Sequence, residues 1–130
     1  MSNVFKVEIV NPEKSFLSKE DVTEVVIPAF EGEMGILKDH ISLVTFLRPG
    51  FIEAKIENNI EKFYVEEGTV EFFKNNLSIL TSSIFNVKDM DKGQIEEILK
   101  QAENDSNNSK INDQQKYLVD QKIDVLKSIN

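Results

Sequence analysis

The sequence predicts a protein of the α+β class, mainly β, in which a β domain is followed by a pair of α-helices. Apolar and polar residues alternate with a period of two over most of residues 1–88, as in strands with one buried and one solvated face. Beyond Asp89 the apolar residues recur at helical spacing instead. Frequent turn-forming residues separate the short strands, which indicates a β-sandwich or barrel.

The strands are predicted from the alternation and from the residues that interrupt it. Alternation is clearest at 5–9, 52–56 and 70–72. Residues 22–27 form another apolar run, which we expect Pro28 to end because proline cannot donate to a sheet ladder. The asparagine pairs at 58–59 and 75–76 lie between apolar runs and predict turns.

Residues 89–130 predict a helical hairpin. Apolar residues at 95, 98, 99 and 102 form a narrow helical stripe, and Asp91 with Gln94 predicts a capping box at its start. The polar stretch 104–110 predicts a chain reversal. Asn112 with Gln115 then begins a second helix that has a broader apolar face.

The composition excludes several classes of function. The net charge of -8 argues against nucleic-acid binding and against adsorption to anionic lipid, since both require clustered basic residues. The chain has no cysteine, which excludes disulfides, thiolate nucleophiles and zinc-thiolate sites. We find no signal peptide and no apolar run of the ~20 residues that a membrane span requires, so we expect a protein partner to mediate any membrane association.

Residues 30–40 combine Gly32, Gly35, two glutamates and the only histidine in what the sequence predicts to be a loop. A catalytic or metal role for His40 lacks a second histidine or cysteine as partner. Glu31 and Glu33 as an acid/base pair would need a cleft with aromatic walls, and the chain has no tryptophan. The glycines lack the spacing and the lysine of a phosphate loop. We therefore interpret the segment as a contact surface.

The nine phenylalanines all precede Asp89, and we interpret them mainly as the core of the β domain. Phe73 follows Phe72 directly and breaks the alternation. It is therefore the leading candidate for an exposed phenylalanine at a partner surface.

Several segments together resemble the epsilon subunit of the F-type ATP synthase, which is called delta in mitochondria. They are residues 30–40 with Leu47-Arg48-Pro49-Gly50, then 63–72 and 76–80, in order and at family-like spacing. The resemblance implies a ten-stranded β-sandwich over 1–88 and an antiparallel α-helical hairpin over 89–130. It also implies a protein with no catalytic activity and no cofactor of its own.

The function implied by the resemblance is that of a central-stalk subunit. It would couple rotation of the c-subunit ring to the catalytic head through gamma, in an enzyme that translocates protons or sodium ions. Carried onto this sequence, the ring contacts would be Glu31, Glu33, Met34 and His40. The hairpin would be a regulatory element able to reach the alpha and beta subunits. The expected location is peripheral, on the cytoplasmic face of a bacterial inner membrane.

Two departures from the family pattern bear on regulation. The ATP motif of some relatives, [IL]-D-x-x-R-A, keeps its aspartate here as Asp91 but has Gln94 in place of the arginine, so we do not expect tight ATP binding. In the second helix three lysines are interleaved with three aspartates, leaving no net positive face toward the catalytic subunits. We expect inhibition by the hairpin to be weak or absent.

The alternative from another class is a free-standing β-sandwich that binds a small ligand, with a helical appendage. It would need a concave pocket lined by aromatic side chains. The lack of tryptophan and the placement of the phenylalanines within strand patterns count against it.

Deletion of residues 89–130 tests the expectation of weak inhibition. We expect the truncated chain, in the assembled enzyme, to leave ATP hydrolysis close to that of the intact enzyme, because the second helix lacks a net basic face. The measurement is the steady-state rate of ATP hydrolysis by the two assembled enzymes. A rise of several-fold on deletion would show that the hairpin inhibits.

Overall fold

A computed structural model describes residues 3–129, in which nine strands precede two helices. The strands are β1 (Phe5–Val10), β2 (Ser15–Ala29), β3 (Gly32–Leu37), β4 (Leu43–Leu47), β5 (Gly50–Ile56), β6 (Asn59–Val65), β7 (Gly68–Phe73), β8 (Asn76–Leu80) and β9 (Ile84–Asn86). A 3-10 turn at Val87–Asp89 leads to the helices α1 (Lys92–Ser106) and α2 (Asp113–Lys127).

The strands form two layers that share β2. The first half of this 15-residue strand pairs with β1, and its second half pairs with β3 and β5. The strand order β1-β8-β7-β4-β2-β5-β6-β9, with β3 on β2, therefore folds back on itself as a sandwich. One layer is β1-β8-β7-β4-β2 and the other is β3-β2-β5-β6-β9. Because β2 belongs to both five-stranded layers, the sandwich has nine separate strands where ten were expected.

The main core lies between the layers and confirms the predicted β-sandwich. Every strand contributes buried apolar side chains to it, because each strand turns one face of its pleat inward. Among the phenylalanines, Phe5, Phe63 and Phe72 are buried in this core and Phe16 packs partly against it. Phe73 is 54% exposed, as predicted.

The prediction of a loop over residues 30–40 is wrong. Most of this segment is strand β3, which pairs in register with β2 from Ala29↔Gly32 to Glu24↔Leu37. Only Phe30 and Glu31 form the turn between the two strands. The two glycines concealed the alternation that sends Met34 and Ile36 inward.

Pro28 lies inside β2 and does not end it. Its carbonyl accepts a hydrogen bond of 2.9 Å from the Arg48 amide, so its main chain faces β4. The pairing of β2 with β5 has already ended at Val26↔Glu53. A residue without an N–H is therefore tolerated at this point of the strand.

Both helices begin at the residues that the sequence indicated. The Asp91 carboxylate accepts from the Gln94 amide at 2.7 Å and caps α1. At α2 the capping box is complete, since Asn112 accepts from the Gln115 amide and the Gln115 side chain accepts from the Asn112 amide. These caps satisfy amides that have no partner within the first turn of a helix.

Gly50 offers a test of the packing at the start of β5. A Cβ at this position would lie 2.5 Å from Pro28 Cβ, on the buried second half of β2. We expect Gly50→Ala to lower the free energy of unfolding by about 1–3 kcal/mol, the usual cost of overpacking. Urea unfolding followed by circular dichroism measures this change.

Gly35→Ala is the matched control for that measurement. The nearest atom to its added Cβ is a side-chain oxygen of Glu24 at 3.4 Å, which can move. We expect an unfolding free energy within about 0.5 kcal/mol of the parent, as for an ordinary surface substitution. Equal losses in the two variants would contradict the packing argument.

Candidate partner-binding surfaces

The helical hairpin is docked on the outer face of the β5-β6-β9 layer through a second apolar cluster. Tyr64 of β6, Ile95 of α1 and Leu126 of α2 are its buried members. Tyr64 also meets the rings of Phe51 and Phe85, with centroids 6.5 and 6.3 Å away. Because the outer face of β6 presents an aromatic ring here and not a polar side chain, the sandwich has a built-in docking site for the helices.

Glu66 is the polar centre of this docking surface. Its Oε2 accepts a hydrogen bond of 2.9 Å from the Tyr64 hydroxyl, and its Oε1 lies 3.5 Å from Nζ of Lys122 on α2. Burial raises the pKa of Tyr64, and the neighbouring Glu66 carboxylate raises it further. The hydroxyl therefore stays protonated and remains a donor. Tyr64 holds the Glu66 carboxylate in place, and the ion pair of that carboxylate with Lys122 ties α2 to the sandwich.

Arg48 makes a second polar link to the hairpin. Its Nη1 donates to the Tyr117 hydroxyl at 2.9 Å, and its Nε is buried without a hydrogen-bond partner among residues 3–129. The Leu47-Arg48-Pro49-Gly50 segment was noted in the sequence only as part of a resemblance. Its contact with α2 had no signal in the sequence, because nothing in the order of residues places Tyr117 beside Arg48.

The predicted ring-contact residues lie toward opposite ends of β3. Glu31 is in the turn before the strand, where its Oε1 accepts from the Thr45 hydroxyl at 3.2 Å. His40 follows the strand, and its Nδ1 donates to the carbonyl of Ile41 at 2.8 Å. Six strand residues separate these two turns, a length of roughly 20 Å at ~3.4 Å per residue. They do not form one cluster.

Glu33 and Met34 are neighbours in β3 but point to opposite faces. Glu33 is exposed, whereas Met34 is partly buried and packs against the main core. Alternation along the strand requires this difference. Of the two, only Glu33 presents most of its side chain to a partner.

The turn after β3 is tied to the turn between β7 and β8. The Asp39 amide donates to Oδ1 of Asn75 at 2.6 Å, and Nδ2 of Asn75 donates to the Asp39 carboxylate at 2.9 Å. The His40 ring meets the Phe72 ring edge to face at 5.9 Å. This end of the sandwich is thereby held as one surface.

Asp91 and Gln94, which the sequence analysis compared with the ATP motif of some relatives, form the N-terminal cap of α1. The Asp91 carboxylate accepts a hydrogen bond from the Gln94 main-chain amide.

No three histidine, cysteine, aspartate or glutamate side chains within residues 3–129 are grouped so that they could hold a metal ion.

The outer face of β4, β7 and β8 carries a group of exposed apolar side chains, which we term the apolar face. Each member is more than half exposed. They are Val44, Phe46, Phe73 and Leu80. Phe46 and Leu80 lie on either side of Thr69 in the ladder, and Val44 lies opposite Glu71, so the apolar side chains of the three strands alternate with polar ones.

A hollow of about 440 Å³ opens in the apolar face beside Val44 and Phe73. Sequence reasoning found only Phe73, because residues 43–47 are apolar at every position except Thr45. In such a run the period of two does not indicate which side faces water.

A groove of about 970 Å³ lies between one end of the sandwich and α2. Phe30, Phe46 and Leu80 are on the sandwich side, and Leu118 and Val119 are on the helix side.

Neither helix within residues 3–129 has the length and apolar character that a membrane span requires.

The family is shown by comparison with known proteins. The sequence profile described as "ATP synthase, Delta/Epsilon chain, beta-sandwich domain" matches residues 4–87. The chain belongs to the delta/epsilon family of ATP synthase subunits. The epsilon chain is a non-catalytic subunit of its complex, in agreement with the sequence analysis.

Relatives in this family extend over the helices as well. The chain is 69% identical to the ATP synthase epsilon chain of Pelagibacter ubique over the full length of both. It is 35% identical to the epsilon chain of Sinorhizobium medicae over 78% of this chain and 76% of that one. The mitochondrial delta subunit of Schizosaccharomyces pombe is 34% identical over 75% of this chain and 60% of its own length.

Solved structures share the fold at low sequence identity. A chain of the Euglena gracilis mitochondrial ATP synthase (OSCP/F1/c-ring) has a TM-score of 0.75 at 19% identity, covering 98% of this chain and 79% of its own. A chain of the Tetrahymena thermophila central stalk and c-ring has a TM-score of 0.65 at 15% identity, covering 95% and 93%. Both alignments extend over the sandwich and the helices of this chain.

Glu66→Ala tests the polar docking of the hairpin. The substitution leaves the Tyr64 hydroxyl without its acceptor and Lys122 without its carboxylate. We expect the free energy of docking to weaken by about 1–2 kcal/mol. The undocked fraction of α2, and with it the rate of amide exchange, then rises roughly 5- to 30-fold. Amide hydrogen exchange across Asp113–Lys127 measures it.

Glu67→Ala is the matched control for this experiment. Its carboxylate accepts from the Ser82 hydroxyl at 3.1 Å, a contact within the sandwich. We expect exchange in α2 to stay within about twofold of the parent, as for surface substitutions generally. Equal acceleration in both variants would contradict the role assigned to Glu66.

Proposed function

We propose that this chain is a rotor subunit of the central stalk, which connects gamma to the c-subunit ring and carries torque to the catalytic head. Its family membership and its likeness in fold to stalk subunits support the proposal. The single observation that carries it furthest is the apolar face on β4, β7 and β8. Exposed apolar patches on a protein surface mark interaction sites.

The apolar face is the surface that we assign to gamma. Its side chains are spread over three neighbouring strands, and the hollow beside Val44 and Phe73 can receive a side chain of the partner. Interface cores are enriched in aromatic residues, and Phe46 and Phe73 fit that pattern. Lys74, whose Nζ lies 5.2 Å from the Phe73 ring centre, supplies a charged rim.

The ring contact is assigned to the end of the sandwich that carries Glu31 and Glu33. Both carboxylates are exposed and can accept hydrogen bonds from polar loops of the ring. Met34 supports this surface by packing against the core behind it. His40, at the other end of β3, lies beside Phe72 and close to the apolar face, and we assign it to the gamma side.

The two parts of the chain have different roles in this proposal. Residues 1–88 transmit torque, for which a close-packed sandwich is suited because packed interiors are nearly incompressible. Residues 89–130 form the regulatory hairpin, docked here through Tyr64 and Glu66, and would contact the alpha and beta subunits only when undocked. Interleaved lysines and aspartates in α2 support weak inhibition.

The proposed location follows from the proposed partners. A chain held by gamma and the ring is peripheral to the membrane, on the cytoplasmic face in a bacterium. The described helices contain no candidate membrane span. The identity of the coupling ion belongs to the ring and not to this chain.

Phe46→Glu tests the assignment of gamma to the apolar face. A buried carboxylate opposite an apolar partner surface has no compensating charge, so we expect the dissociation constant of the complex with gamma to rise at least 10-fold. Titration calorimetry or size-exclusion chromatography with gamma from the same organism measures it.

Ile60→Glu is the matched control for this titration. Ile60 is 56% exposed, much like Phe46, but it lies on β6 outside the apolar face. We expect the same substitution here to change the affinity for gamma by less than about threefold. A folded parent chain that does not bind gamma would overturn the proposed function.

A further inference from the structure

Strand β3 has one edge paired and one edge open. Its six residues pair with β2, and no other strand within residues 3–129 pairs with β3. An open edge presents main-chain groups that can template the addition of another strand. Natural edges are often protected by proline, lysine or a bulge, but Gly32–Leu37 contains none of the three.

The hydrogen bonds of β2 show which groups of β3 face outward. Pro28 of β2 accepts from the Arg48 amide, and Phe30 in the turn that follows donates to the Phe46 carbonyl, so the main chains of the even-numbered residues here point toward β4. Odd-numbered residues of β2 then point toward β3 and are opposite its even-numbered residues. The outward groups of β3 are therefore those of residues 33, 35 and 37.

The amides of these three residues and the carbonyls of Glu33 and Gly35 thus lie along the open edge. The Leu37 carbonyl is already used, since it accepts from the His40 amide at 3.1 Å. This spacing fits the ladder of a single added strand three to five residues long.

The charge around the edge selects its occupant. Glu31, Glu33 and Asp39 contribute three carboxylates along residues 31–40, against one lysine. Two copies of this edge would repel each other, so a second copy of this chain is disfavoured. A segment with basic side chains is favoured, and Leu37, 55% exposed, offers it one apolar contact.

The edge also runs toward the apolar face. The turn that follows β3 is bonded to the β7–β8 turn through Asp39 and Asn75, next to Phe73. A segment lying along β3 and leaving at this end reaches the apolar face without crossing the sandwich. One partner can therefore occupy both surfaces.

We propose that the open edge of β3 receives an extended, basic segment of gamma as an added strand, bonded to the main chain of Glu33, Gly35 and Leu37. This inference rests on the proposed function, because it assigns the occupant to the subunit that covers the apolar face. The added strand would be recognised through main-chain hydrogen bonds, which the side-chain contacts of the apolar face do not supply.

Amide hydrogen exchange resolved by residue, on the full chain with and without purified gamma, tests the proposal. The amides of Glu33, Gly35 and Leu37 gain at least 10-fold protection in the complex, while those of Met34 and Ile36, already bonded to β2, change little. Unchanged exchange at the three outward amides overturns the inference. Protection produced only by the purified c-ring, or by raising the concentration of this chain alone, overturns it as well.

Gly35→Pro and Gly35→Ala provide the matched pair of variants. Proline removes one outward amide without breaking a bond to β2, and alanine keeps that amide. The dissociation constant for gamma rises at least 10-fold for Gly35→Pro and less than threefold for Gly35→Ala. Equal affinities overturn the inference, and the exchange experiment on the unaltered chain decides the question if Gly35→Pro does not fold.

The two proposals fail separately. If gamma binds and Phe46→Glu weakens it while the outward amides of β3 exchange freely, the proposed function stands and the added strand is wrong. If folded gamma does not bind the chain, both are wrong.

Discussion

The shared strand β2 is the constraint on which the rest of the molecule depends. Its first half is bonded to β1 and its second half to β3 and β5, so the two layers cannot shift independently. Its buried residues from Val22 to Ala29 pack in the core common to both layers. The tight junction of Gly50 against Pro28 exists because β4 and β5 separate from the same strand at that point. The positions of the apolar face, the open edge and the docked hairpin all follow from it.

Much of this architecture could be predicted from the sequence, because alternation and capping are local signals. These signals predicted the division between strands and helices. They also predicted that the helices begin at Asp91 and Asn112. The strand within residues 30–40 could not be predicted in this way, because glycines at 32 and 35 interrupt the apolar pattern that identifies a strand. The apolar face was missed because a run such as 43–47 has apolar residues on both sides of the pleat.

The candidate contacts show a second limit of local signals. Glu31 and His40 are nine positions apart in the sequence, yet an extended strand holds their turns apart at opposite ends of the sandwich. Arg48 and Tyr117, in contrast, are brought into contact from distant parts of the chain. Partner surfaces are made by such long-range placement. A motif can identify the family that owns them without showing how its residues are distributed.

The placement of the two tyrosines has a consequence for observing the hairpin in solution. The chain has no tryptophan, so Tyr64 and Tyr117 dominate its ultraviolet fluorescence over the weakly emitting phenylalanines. Tyr64 is buried beneath the helices beside a carboxylate, and Tyr117 is bonded to Arg48 across the same boundary. Any undocking of the helices changes the surroundings of both rings together. The molecule thus contains its own optical reporter of hairpin position, which needs no added dye.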